Sequence, residues 1–349
     1  MTPATAAPSP PLPDPAPPSI PAWIRQLPLA AAPMAALSHS AFRRLVAGFG
    51  GCDLLHSEML AGKAILQEDP ARSPWLRRVP GDGAVAYQLL LRDADRLPAI
   101  VERLAACNPA AIDLNCACPA ATVCHTGGGA SLFEDAPRLD AVIRELRRAW
   151  PGRLTAKLRL GKAPAPGWRD RFTDRLRLLE DRGLDALTIH PRFAADRLAR
   201  PAQHHLLPWI RSLTPLPLTA NGDIAGPEDL ARRPDCFAGW QGVMLGRAAI
   251  ARPWTFAAWK RPDSAAALAS APAAAWQRLA ELVREEFPPE KALGKLKLYA
   301  NWYSRNFLFG RTFHNLIRNS PSFGHAQAAA GQFLAANPAP APYLCLNDI

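Results

Sequence analysis

Ala111-Ile-Asp-Leu-Asn-Cys-Ala-Cys118, Arg138-Leu-Asp-Ala-Val-Ile-Arg-Glu-Leu-Arg-Arg-Ala-Trp150 and Leu154-Thr-Ala-Lys-Leu-Arg-Leu160 follow one another along the chain. The first and third are short apolar runs of strand length. In the second, Leu139, Val142, Ile143 and Leu146 recur at helical spacing beside Arg144, Glu145, Arg147 and Arg148, which marks an amphipathic helix. Strand, helix and strand in that order form a crossover unit whose two strands run parallel. The same rhythm extends in both directions. Strands are expected at Leu27–Met34, Asp53–Met59, Ala84–Leu91, Ala186–Arg192, Pro217–Ile224 and Gly242–Arg247, with further helices at Asp95–Cys107 and Trp168–Arg182. Eight parallel strands with intervening helices predict an α/β fold, a closed (β/α)8 TIM barrel. An open doubly wound sheet is the alternative, and no G-x-G-x-x-G follows the first strand to support it.

After about residue 255 the rhythm stops and only helical patterns follow. The expected organisation is a disordered Pro/Ala-rich tail over residues 1–22, a barrel over 23–262 and a smaller all-helical domain over 263–349. The first 22 residues hold nine prolines and neither Arg nor Lys, which argues against a secretory signal or a mitochondrial presequence. No uncharged apolar stretch of about 18 residues appears, so no transmembrane helix is expected. The seven cysteines are an odd number and suit reduced thiols in a cytoplasm better than a disulfide framework. The chain of 349 residues carries 41 basic against 30 acidic side chains, a formal charge of +11. That excess points toward a polyanionic partner, nucleic acid before membrane, although much of it is Arg in an Ala- and Pro-rich composition.

In a barrel the chemistry sits at the C-terminal ends of the strands. There the chain places Asp113-Leu-Asn-Cys-Ala-Cys-Pro119, then Thr126-Gly-Gly-Gly-Ala130, then Lys157 and Arg159, His190 and Arg192, Asn221-Gly-Asp223 and Gly246-Arg247. Glycines at the ends of the seventh and eighth strands let backbone N–H groups approach a phosphate, so a phosphorylated cofactor is expected there. Cys116, Cys118 and Cys124 raise the alternative of a metal cluster, but a fourth ligand at zinc-like spacing is missing and no metal is expected. Cys116 reads as a buried small apolar residue. Between Lys291 and Arg318 lie six Lys or Arg and no Asp or Glu, interleaved with Tyr299, Trp302, Tyr303, Phe307, Phe309 and Phe313. Such a segment can neutralise phosphates and stack on unpaired bases; alternatively its aromatics are the small domain's core.

Ala-Pro-Met at residues 32–34, Ser-Glu-Met at 57–59, Asn-Cys-Ala-Cys-Pro at 115–119, Lys-Leu-Arg-Leu-Gly at 157–161, Ile-His-Pro-Arg at 189–192, Ala-Asn-Gly-Asp-Ile at 220–224 and Met-Leu-Gly-Arg at 244–247 resemble, in order, the tRNA-dihydrouridine synthases. Cys-x-Cys-Pro followed by Gly-Gly-Gly-Ala is most similar to the C-type subfamily, which acts on uridine 16 of the tRNA D-loop. The resemblance implies an FMN enzyme that uses NADPH. Pro33, Met34 and Ala35 would lie against the isoalloxazine, with Gln88, Lys157 and His190 on its polar edge. Asn221, Gly222, Asp223, Gly246 and Arg247 would hold the ribityl phosphate. Cys118 falls on the catalytic cysteine, a general acid toward C5 of the uracil. Glu58, Asn115 and Arg192 are expected to face the substrate, and Lys295, Lys297 and Arg305 to meet tRNA phosphates. A cytoplasmic monomer without membrane attachment is expected. The chain departs from the family pattern at Ala35-Ala36-Leu37-Ser38-His39, at Ala121 and at Pro191-Arg192-Phe193. Two other readings are a related FMN barrel acting on a small molecule and an RNA-binding homologue without catalysis.

Overall fold

A computed structural model describes residues 18–261, 271–341, 343, 344 and 346. The expected tail up to residue 17, the boundary at 262–263 and Cys345 lie outside the described residues. The strands are β1 (Leu29–Ala31), β2 (Leu54–His56), β3 (Leu60–Ala61), β4 (Val85–Leu90), β5 (Ala111–Cys116), β6 (Leu154–Arg159), β7 (Ala186–His190), β8 (Leu218–Asn221) and β9 (Gly242–Leu245). Every pairing is parallel, and β2 pairs with β4 while β1 pairs with β9. Eight strands therefore close into a barrel, and the two-residue β3 adds only a short edge beside β4.

All eight expected strands form, but β1 is shorter than its apolar run. Pro33 has no N–H to donate to a ladder. The chain then turns at Met34, whose carbonyl accepts from the N–H groups of Leu37 and Ser38, both at 3.0 Å. The helix expected between β5 and β6 runs from Ala136 to Ala149 and buries Leu139, Val142, Ile143 and Leu146 against the barrel. Asp135 caps it, accepting from the Arg138 N–H, and Pro137 sits in the first turn where no intrahelical N–H is needed.

The helical region consists of Ala271–Glu286, Pro289–Tyr303, Gly310–Arg318 and Phe323–Ala335. Its core is aromatic, with Trp276, Tyr299, Tyr303, Phe307, Phe313 and Phe333 in mutual ring contact. Four of the aromatics that interleave the basic run are thus interior, leaving Trp302 half-buried and Phe309 73% exposed. The helices dock on the barrel through Phe42 against Tyr299 and His39 against Phe287. Arg44 pairs with Glu285 and Glu286, each at 2.8 Å. One apolar core runs through both parts. Among the described residues no helix is long and apolar enough to cross a membrane.

Candidate functional site

At the C-terminal mouth of the barrel a cavity of about 380 Å³ is walled by the ends of the barrel strands and the segments that follow them, Met59 after β2 included. Pro33, Met34 and Ala35 leave β1; Gln88 comes from β4 and Asn115 from β5, which Cys118 follows. Lys157 belongs to β6, His190 to β7, Asn221 to β8 with Gly222 and Asp223 after it, and Gly246 and Arg247 follow β9. The volume lies in the range of small-molecule sites. Sequence reasoning placed Arg159 at this mouth but did not assign Met59, Leu198, Ile224, Met244 and Leu346 to its wall, nor Trp302 from the helical region.

Register explains the polar floor. Gln88 stands opposite Asp113 and Asn115 opposite Lys157, so alternate residues of three neighbouring strands share the barrel interior. Gln88 Nε2 donates to Asp113 Oδ2 at 2.7 Å, and Thr155 Oγ1 donates to Asp113 Oδ1 at 2.6 Å. Asn115 Nδ2 donates to Gln88 Oε1 at 2.7 Å, while its Oδ1 accepts from the N–H groups of Ala117 at 3.1 Å and Cys118 at 2.9 Å. Asn115 thereby fixes the turn that carries the Cys118 thiol. Gly129 presses on the same turn. A Cβ there would lie 2.7 Å from the Cys118 carbonyl, which accepts from Ala130 N–H at 3.1 Å.

Charge in the cavity is unbalanced. Lys157, Arg159 and Arg247 face it, against the carboxylate of Asp223. Burial, with Arg159 beside it, brings the Lys157 ammonium down to about 7. Burial, with Arg192 beside it, lowers Arg159 to about 10. Burial and the surrounding cations hold His190 well below its ordinary value, so the imidazole is neutral. Burial also raises the Cys118 thiol, which is therefore protonated at neutral pH. Burial pushes Asp223 up, but the Ala202 N–H together with Arg192 and Arg247 outweighs it and keeps the carboxylate ionised. Such a site favours an anionic ligand such as a phosphate ester. Backbone approach at two places fits the same group. A Cβ at Gly222, whose φ is +105°, would lie 2.5 Å from the His190 ring, and one at Gly246 would lie 3.3 Å from Met34 Sδ.

Three residues expected to face substrate are turned elsewhere. Glu58 Oε2 accepts from Ala36 N–H at 2.8 Å, and Lys295 Nζ donates to the Ala36 carbonyl at 3.0 Å while lying over the rings of Trp75 and Phe287. Arg192 is fully buried and pairs with Asp223 at 2.6 Å. Lys297 is partly exposed, and the Arg305 guanidinium stacks on Trp302, 4.5 Å from the ring centre. Among the described residues no three His, Cys, Asp or Glu are grouped to hold a metal ion.

The family model of the dihydrouridine synthases matches residues 30–335. The tRNA-dihydrouridine synthase B of Pectobacterium carotovorum is 31% identical over 298 residues, covering 82% of this chain and 90% of that protein. The tRNA-dihydrouridine(16) synthase of Neisseria meningitidis serogroup B is 33% identical over 239 residues, covering 64% of this chain and 68% of that protein. Among solved structures, histamine dehydrogenase from Rhizobium sp. 4-9 aligns with a TM-score of 0.51 at 11% identity, over 78% of this chain and 48% of that one, a likeness of fold alone. The chain belongs to the dihydrouridine synthase family.

Proposed function

We propose that the protein reduces a specific uridine in the D-loop of tRNA, at position 16, to 5,6-dihydrouridine, with FMN as resident cofactor and NADPH as electron donor. Family membership supports the coarser part of this reading, an oxidoreductase acting on tRNA uridine. The observation that carries the finer part is the half-buried thiol of Cys118 on the wall of the same cavity as Lys157, His190 and Arg247.

The residues fit FMN. Arg247 is aimed by Asp223 at 2.6 Å and would meet the phosphate with Asn221, Gly222 and Gly246 around it. Pro33, Met34 and Ala35 would form the apolar bed of the ring system. Lys157 and His190 would meet its polar edge together with the Gln88 amide, which has one N–H left after serving Asp113. When bound, the flavin supplies a hydride to C6 of the uracil. Cys118 holds its proton at Sγ and delivers it to C5 as a general acid. Asn115 keeps that thiol in place through the Cys118 N–H. The base is inaccessible inside folded tRNA and has to be flipped into the cavity. Lys297 and Arg305, with Trp302 on the cavity wall, would receive the RNA, whereas Lys295 is engaged with the barrel.

The test is to incubate purified, flavin-loaded protein with NADPH and unmodified tRNA and to map dihydrouridine by mass spectrometry. Product at position 16 supports the reading. Product at another D-loop uridine would retain the reaction and reject the position.

A further inference from the structure

Arg192 follows β7 at a place where the sequence suggested substrate contact, yet it is wholly buried and does not line the cavity. Its guanidinium is held on three sides. Nε donates to the Arg200 carbonyl at 2.6 Å, Nη2 donates to Asp223 Oδ2 at 2.6 Å, and Nη1 lies 3.0 Å from His190 Nε2. A guanidinium has donors only and stays charged in proteins. A nitrogen–nitrogen contact of 3.0 Å with it is a hydrogen bond only when the histidine nitrogen offers its lone pair.

We propose that Arg192 is a positioning residue that fixes His190 as the neutral tautomer with its proton on Nδ1, so that the ring presents a hydrogen-bond donor, and no acceptor, to the cavity. Turning the ring over would set Cε1–H against the Arg192 guanidinium and forfeit that bond. A Cβ at Gly222 would lie 2.5 Å from His190 Cδ2 and 2.8 Å from Nε2, so the backbone already covers that edge. The Nδ1 edge has no protein partner among the described residues, and His190 lines the cavity. Asp223, whose one oxygen holds Arg192, uses the other to hold Arg247 at 2.6 Å. The cation assigned to the phosphate and the donor assigned to the ring system are therefore set by one chain of charge-assisted bonds, Arg247–Asp223–Arg192–His190.

The inference deepens the flavin reading and rests on it for the identity of the ligand. A ligand atom that meets His190 has to be an acceptor, which on an isoalloxazine means a carbonyl oxygen or an unprotonated ring nitrogen. Replacing Arg192 by Met removes the fork and frees both tautomers. Replacing it by Lys retains one donor toward Nε2 and should partly restore the preference.

Long-range proton–nitrogen NMR on protein labelled with ¹⁵N at histidine tests the idea, with His190 assigned from a His190→Gln variant. Spectra are taken without flavin and then with FMN. The expected result, in both states, is an unprotonated Nε2 and a protonated Nδ1 for His190. Arg192→Met should give a mixed tautomer signal, and its FMN dissociation constant should rise roughly tenfold. A parent protein with its proton on Nε2 would overturn the proposal, and so would a single Nδ1–H tautomer that persists in Arg192→Met. If Arg192→Met does not fold, the parent spectrum alone decides. Failure of FMN to bind, with the tautomer as expected, would reject the flavin reading and leave the role of Arg192 intact.

Discussion

Lys295, carried by the helix Pro289–Tyr303, donates its ammonium to the carbonyl of Ala36 at 3.0 Å. The N–H of Ala36 donates to Glu58 at 2.8 Å, so both backbone groups of this residue are held by opposite charges. Ala36 has φ of +63°, a left-handed conformation that costs a residue with a Cβ about 1–2 kcal/mol. It stands two residues after Met34, which lines the cavity. Lys295 thus reaches from the helical region to the rim of the site. Lys295→Met is expected to lower stability by about 1 kcal/mol, since the bond is charge-assisted but half-exposed. It should weaken flavin retention a few-fold and leave the salt dependence of tRNA binding as it was. Denaturant unfolding, flavin fluorescence and filter binding read the three effects separately.

The phosphate contacts are expected from Lys297 and Arg305 instead. Changing both to Ala should weaken tRNA binding and flatten the slope of log K against log salt by about 0.7–0.9 per lost contact. NADPH oxidation in the absence of tRNA should be unaltered. Equal slopes for parent and double variant would remove these residues from the RNA interface.

Two cysteines separated by one residue are expected to behave oppositely. Cys118 lines the cavity, whereas Cys116 is 1% exposed at the end of β5 and faces the apolar core. Cys118→Ala should retain flavin and its reduction by NADPH but slow tRNA turnover by about 10²–10⁴-fold, the usual range for loss of a general acid. Cys116→Ala should leave turnover near that of the parent and lower the unfolding midpoint instead. Rapid-mixing measurements of flavin reduction and reoxidation separate the two half-reactions.

Lys157 gives the cavity a pH dependence. Its ammonium is lowered to about 7 by burial, so in the free protein it loses its proton as pH rises through 7. A bound anion favours the charged form and raises that value. Ligand binding then takes up a proton, and affinity is fully present below pH 7 and lost above it. Between pH 7 and 9 the FMN dissociation constant is expected to rise by up to about tenfold per unit. Lys157→Met should bind more weakly and show a flat profile across that range. Fluorescence titrations at fixed ionic strength measure both curves, and a parallel slope in the variant would assign the dependence to another group.

The same physics explains what the sequence disclosed. Lys157, His190 and Asn221 could be placed because a parallel barrel brings every strand's C-terminal end to one mouth, whereas Gln88 was expected there only through the resemblance. Glu58 and Arg192 were expected at the substrate through the resemblance, and Lys295 through its place in a basic run. Their true partners are the Ala36 backbone for two of them and Asp223 with His190 for the third, contacts that join distant parts of the chain. A turn with a left-handed alanine leaves no periodic signal. Tyr299, Tyr303, Phe307 and Phe313 carried a helical pattern compatible with either a stacking surface or a core, and the packing against Trp276 and Phe333 decided for the core. Leu346, whose carbonyl accepts from Arg247 at 2.6 Å, enters the site from a segment with no motif at all.

The central claim is that a thiol in the barrel mouth completes the reduction of a tRNA uridine. It is tested most directly by a single-turnover experiment in deuterated water, mixing protein whose flavin has been reduced with NADPH with an unmodified tRNA transcript. Mass spectrometry of the digested RNA follows the product. The account predicts dihydrouridine at position 16 with one solvent deuteron at C5 from the parent, and almost none from Cys118→Ala within the same time. Equal yields from the two proteins, or reoxidation of the flavin with no dihydrouridine in the RNA, would contradict it.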